Sequence, residues 1–167
     1  IDLAVHPDGG ILLLTYPPAG SVTGSWAVRR ADYRGRPKGE FAIARPAELA
    51  DFGPNRMILR GDTLWLVSES QLLAATFALD GTFRRRIDLA NFAEVPDADR
   101  ADFEIRGFDA AADGSYVFAI PVQFRVYVAS ADGSIRAFGR SGSAAGNFGI
   151  ISGVAFGDGG HVVVSDR

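Results

Sequence analysis

The feature that most limits what this chain can fold into is a short pattern that keeps returning. Leu3-Ala4-Val5-His6-Pro7-Asp8-Gly9-Gly10 leads into Ile11-Leu12-Leu13-Leu14. Gly107-Phe108-Asp109-Ala110-Ala111-Ala112-Asp113-Gly114 leads into Ser115-Tyr116-Val117-Phe118, and Gly153-Val154-Ala155-Phe156-Gly157-Asp158-Gly159-Gly160 into His161-Val162-Val163-Val164. A worn copy is Met57-Ile58-Leu59-Arg60-Gly61-Asp62 before Thr63-Leu64-Trp65-Leu66-Val67. Each copy is an apolar strand, an Asp/Gly turn that supplies positive φ, and a second apolar strand. A second turn motif recurs out of phase. Leu79-Asp80-Gly81-Thr82-Phe83 resembles Ala131-Asp132-Gly133-Ser134-Ile135, and Asp32-Tyr33-Arg34-Gly35-Arg36 is a degenerate form. It joins a third strand to a more polar fourth one.

The two motifs together predict units of four antiparallel strands. With turns near Gly9, Gly61, Gly114 and Gly159, the unit repeats every 45 to 53 residues. Self-similarity at that period is the signature of propeller blades. A β-sandwich also has short strands and frequent turns, but it does not require one turn chemistry to return every fourth strand. The expected fold is therefore all-β, a β-propeller of four-stranded antiparallel blades. Helix is confined to single turns at 47–52, 90–94 and 99–103. Turns are expected at Asp8-Gly9, Asp80-Gly81, Asp113-Gly114, Asp132-Gly133 and Asp158-Gly159.

Phe138-Gly139-Arg140-Ser141-Gly142-Ser143-Ala144-Ala145-Gly146-Asn147-Phe148-Gly149, then Gly153-Val154-Ala155 and Val162-Val163-Val164-Ser165-Asp166, resembles an NHL repeat. The glycine-spaced G-x-x-x-G-x-F loop and the final VxVSD strand carry the likeness; Ile151-Ser152 stands where the family usually has proline. The match is good over 126–167, fair over 1–16 and weak over 24–77. The resemblance implies a ring that usually closes with six blades. Residues 1–167 then read as a partial β-propeller domain, about three and a half blades, with blade hairpins near 3–16, 57–68, 107–120 and 153–166. Ile1 and Arg167 each fall on a strand, so the expectation is a piece of a longer protein, or a half-ring completed by another copy or subunit. The apolar stripes through Leu12, Leu14, Trp65, Val67, Val117 and Val163 need neighbours, so 1–167 alone is not expected to be a monodisperse monomer.

Composition narrows function more than it defines it. A net charge of −3 argues against a nucleic-acid partner, and no apolar run is long enough for a membrane-spanning helix. Cysteine is absent, which removes thiol catalysis, zinc-thiolate sites and disulfides. No G-x-S-x-G elbow, P-loop, H-E-x-x-H or dinucleotide fingerprint is present, and the Gly139–Gly149 loop lacks the lysine and helix of a phosphate cradle. No catalytic, cofactor or transition-metal residue is assigned. The two histidines, His6 and His161, read as unrelated surface residues. Asp97, Asp99 and Asp102 could offer oxygen ligands to calcium, but they lack the spacing of an EF-hand loop and read better as a solvated connection. Arg84-Arg85-Arg86 reads as an exposed outer strand, Trp26, Trp65 and Tyr116 as core, and Ser165-Asp166 as ordinary strand-end polar residues.

Two function classes follow. A non-enzymatic protein-interaction or scaffold domain is the leading one, because a propeller presents loops on a rigid frame. The resemblance implies a bacterial protein, with a partner in the periplasm or at the cell surface, a redox protein or a larger complex among the options. The alternative is a lyase- or lactonase-type propeller enzyme with a metal in its central channel. That reading needs several acids on the innermost strands, where only Asp109 stands out from apolar runs.

Overall fold

The computed structural model describes residues 2–16 and 26–167. Ile1, where the first strand is expected to begin, and Gly24, at the start of the weakly matched stretch, lie outside the described residues. The chain divides into two compact units, Ile1–Ser68 with Leu73–Ile87, and Glu69–Leu72 with Asp88–Arg167.

The first unit carries two four-stranded meanders. One is β1 (Asp2–Val5), β2 (Ile11–Thr15), β3 (Ala27–Ala31) and β4 (Pro37–Phe41), hydrogen-bonded in that order. The other is β5 (Arg56–Arg60), β6 (Thr63–Ser68), β7 (Leu73–Ala78) and β8 (Phe83–Asp88). The second unit carries β9 (Phe108–Ala110), β10 (Tyr116–Ile120), β11 (Arg125–Ala129) and β12 (Ile135–Phe138), again as a meander, and the pair β13 (Ile151–Phe156) and β14 (Val162–Asp166). All named neighbours are antiparallel, as the repeat predicts.

The expected turns form, and five of the hairpins share one geometry. The N–H groups of His6, Asp32, Ala78, Ala111 and Ser130 donate to the carbonyls of Gly10, Arg36, Thr82, Ser115 and Ser134 at 2.8–2.9 Å. The glycine fourth in each loop donates back to the first residue's carbonyl and holds φ between 76° and 90°. This is a three-residue loop with a left-handed closing position, which glycine enters without the Cβ penalty. The aspartates add a local bond: Asp8, Asp80, Asp113 and Asp132 each accept the backbone N–H two residues on, at 2.8–2.9 Å.

Those bonds hold the four carboxyls below the ordinary carboxylate range, the backbone N–H being the leading cause in each. A carboxyl depressed on folding contributes stability above its unfolded value, and that contribution is lost as pH falls through the folded values. Thermal melts should therefore be flat through neutrality and drop from about pH 4 downward. A variant with all four aspartates changed to asparagine should show a shallower acid limb; an unchanged limb would remove this explanation.

Each unit has its own core. In the first, Leu12 and Leu14 of β2, Val28 of β3 and Phe41 of β4 pack with Leu64 and Leu66 of β6 and Ala75 and Phe77 of β7. Burying each of the larger side chains contributes about 1.5–3 kcal/mol. The connection through the single turn Ala47–Leu49 is fastened by Trp26, whose Nε1–H donates to the Phe52 carbonyl at 2.7 Å. In the second unit Val117, Ala119, Val126 and Val128 pack with Ile151 and Val154. The opposite face of the β9–β12 sheet carries an aromatic ladder: Phe108 stacks on Tyr116, Tyr116 on Phe118 and Phe118 on Tyr127, with centroids 5.8, 6.4 and 5.1 Å apart.

The other expected helical turns appear as the short helix Leu89–Phe92 and a 3-10 turn at Asp97–Asp102. A further turn at Pro121–Gln123 begins with a proline, the residue that best fits a first helical position. Trp65 and Tyr116 are buried, and Arg84, Arg85 and Arg86 are exposed on the outer strand β8. The first sheet departs from this economy. Leu3 and Val5 on β1 are 59% and 65% exposed, and their register partners Leu13 and Ile11 complete an apolar face.

Candidate binding groove

The innermost strands carry two acids, and both are engaged in the same way. Asp2 of β1 accepts the N–H of Leu3 on one oxygen at 2.9 Å and that of Met57, on β5, on the other at 2.7 Å. Asp109 of β9 accepts from Ala110 at 2.9 Å and from Phe156, on β13, at 3.0 Å. Each carboxylate thus clasps the first strand of one sheet to the first strand of the next. A charged residue inside an apolar inner strand is the sequence signal for this role. Asp109 carries that signal, whereas Asp2, at the very start of its strand, does not stand out.

Asp109 is 8% exposed, and its removal takes the carboxylate acceptor from one buried and one part-buried N–H. Asp109→Ala should lower unfolding free energy by about 2–3 kcal/mol in urea titrations. Asp109→Asn keeps an acceptor and should cost less; equal losses would show that acceptor geometry is not what matters.

The remaining predicted residues are scattered. His6 Nδ1 lies 2.8 Å from Asp8 Oδ1 in the first unit, and His161 begins β14's approach in the second, accepting the Gly157 N–H on its carbonyl at 2.8 Å. Asp97 pairs with Arg100, whose Nε is 2.8 Å away, while the same guanidinium bonds both Asp88 oxygens at 3.1 and 2.9 Å. Among the described residues no group of three or more His, Asp or Glu is gathered to hold an ion, so Asp97, Asp99 and Asp102 are not brought together. Asp166 is more than a strand-end residue: its carboxylate accepts the Gly149 N–H at 3.0 Å and ties the glycine-spaced loop to β14.

The concavity with the most convergent chemistry lies in the second unit. It is a groove of 680 Å³ whose lining includes Phe92, Glu94, Gln123, Arg125, Tyr127 and Ile135. Its floor is the outer end of the aromatic ladder. The Tyr127 hydroxyl donates to Gln123 Oε1 at 2.6 Å, and the Gln123 amide donates to the Ala93 carbonyl at 3.4 Å. Burial pushes the Tyr127 phenol up, Arg125 opposes that and Glu94 reinforces it. The phenol is therefore a neutral donor at physiological pH.

Backbone strain is concentrated beside the groove. Three described non-glycine residues hold positive φ, and two belong here: Glu94 at 54° and Phe124 at 55°. Each costs on the order of 1–3 kcal/mol, an expense that recurs at binding positions. Nothing in the sequence signals either one. The groove is assembled from 91–94, 123–127 and 135–137, which only the tertiary fold brings together.

Comparison with solved structures gives the class. The chain matches a streptogramin B lyase with TM-score 0.61 and 16% identity, covering 99% of this chain and 47% of that one. It matches the structure of a nidogen/laminin complex at 0.60 and 18%, covering 99% and 56%, and a gluconolactonase from Xanthomonas campestris at 0.53 and 21%, covering 99% and 53%. With the four-stranded antiparallel sheets, these matches define β-propeller blades. The chain spans about half the length of these solved chains. No protein-family model and no curated protein matches the sequence.

Proposed function

We propose that these blades form part of an NHL-type propeller that acts as a non-enzymatic protein-interaction domain in a bacterial protein outside the cytoplasm. The observation that carries the reading is the engagement of Asp2 and Asp109. A channel metal needs inner-strand carboxylates free to coordinate, and these two accept backbone N–H groups across adjacent sheets. The solved neighbours include two enzymes and a protein captured in a protein complex, and identities below 25% speak for the fold alone. The NHL likeness gains support from the loop that carries it. A Cβ on Gly139, just before the G-x-x-x-G-x-F run, would lie 2.4 Å from the ring of its Phe148, so the loop's first glycine makes room for the motif's phenylalanine.

The deciding experiment measures metal content and turnover together. Purified protein, dialysed against calcium, manganese and zinc in turn, is assayed on a panel of lactones. The expected result is substoichiometric metal and no rate above buffer. A stoichiometric ion together with chelator-sensitive turnover overturns the reading.

A further inference from the structure

The outer strands of the three four-stranded sheets differ in how they are protected. An edge strand offers a row of unpaired N–H and C=O groups, and proteins blunt it with charge or proline. Strand β4 reads Pro37-Lys38-Gly39-Glu40-Phe41, and β8 carries Arg84-Arg85-Arg86. Strand β12 reads Ile135-Arg136-Ala137-Phe138, with Ile135 39% and Phe138 41% exposed. It has one charge, no proline and no neighbour on its outer side among the described residues. It is also the strand whose Ile135 and Ala137 line the groove.

We propose that β12 accepts an extended acidic peptide segment of a partner protein as a fifth strand, with alternate side chains of that segment entering the groove over Phe92 and Tyr127. The inference deepens the protein-interaction reading and rests on it. Successive side chains of a strand point to opposite faces, so every second one of an added strand would meet the groove face that Ile135 and Ala137 share. Charge selects the partner. Arg125 lies in the groove, Arg136 on the strand and Arg140 just past it, against Glu94 in the groove and Asp132 in the turn before the strand. Arg136 and Arg140 make no ion pair among the described residues. This local excess of positive charge sits in a chain whose net charge is −3, so it favours acidic segments over basic ones. The strained backbone at Glu94 and Phe124 shapes the groove beside that edge.

The test uses a fluorescein-labelled nonapeptide of alternating glutamate and valine, its counterpart with lysine for glutamate, and a third with proline at alternate positions. Fluorescence anisotropy at low salt should show the acidic peptide binding at least tenfold tighter than either control. Ile135→Lys, which gives β12 a guard like those of β8, and separately Arg136→Glu should each weaken it by about tenfold; both sites are exposed, and circular dichroism checks that the variants fold. Hydrogen exchange should slow at 135–138 on binding. Equal affinity for the lysine peptide, or binding unchanged in both variants, overturns the proposal. That outcome leaves the interaction reading standing, whereas metal-dependent lactone turnover would remove that reading while leaving peptide binding at β12 to be judged by its own result.

Discussion

Gly81→Ala should be among the most damaging single-methyl changes in the protein, costing more than about 3 kcal/mol and leaving little folded material at 37 °C. Gly81 closes the β7–β8 hairpin at φ 85°, where an L-residue loses about 1–2 kcal/mol from backbone alone. Its Cβ would also fall 1.8 Å from the carbonyl oxygen of Ala42, an impossible approach to main-chain atoms. Neither side can yield easily, because the Gly81 carbonyl itself accepts the Ala44 N–H at 2.9 Å. The control is built into the fold. Gly114 and Gly133 close the same turn at φ 90° and 86°, and a methyl group on either would meet nothing within 4 Å. Alanine there should cost only the backbone penalty. Chemical denaturation of the three variants decides it, and equal losses at all three sites would show that the contact with 42–44 is unimportant.

The second large effect concerns the apolar face of the first sheet. Residues 1–167 expressed alone should self-associate, with a light-scattering mass above that of a single chain and rising with concentration. Leu3 and Val5 present most of their surface, and Ile11 and Leu13 extend the same face. Soluble monomers seldom leave a contiguous apolar patch of more than a few hundred Å² uncovered. Leu3→Glu with Val5→Lys should weaken association about a hundredfold, since covering two half-exposed aliphatic side chains is worth about 2–3 kcal/mol. Both positions point away from the core that Ala4, Leu12 and Leu14 share, so the double variant should keep its melting temperature. A sharply melting monomer from the unmodified sequence would show that this face needs no cover.

What can be read from the sequence is local. An Asp-Gly pair imposes its turn within five residues, so the hairpins at Asp8, Asp80, Asp113 and Asp132 are legible, and the repeat period then implies the blades. The single helical turns at 47–49 and 97–102 are legible for the same reason. The clasps are not, because Asp2 and Asp109 find their donors 55 and 47 residues away. Phe124 and Glu94 adopt a backbone region that their side chains disfavour, which is an outcome of tertiary constraint. The exposed Ile135 and Phe138 also run against the expectation of a polar outer strand, and that departure marks the edge beside the groove.

The placement of the chromophores has a practical consequence. Both tryptophans, Trp26 and Trp65, are buried in the first unit, while Tyr116 and Tyr127 belong to the stacked ladder of the second. Indole emission therefore reports on the first unit, whereas near-ultraviolet dichroism adds the ladder of the second to the indoles and tyrosines of the first. Recorded in one denaturant titration, the two signals form an internal spectroscopic ruler. Coincident midpoints would mean that the units melt as a single cooperative block, and separated midpoints would give the stability of each without cutting the chain.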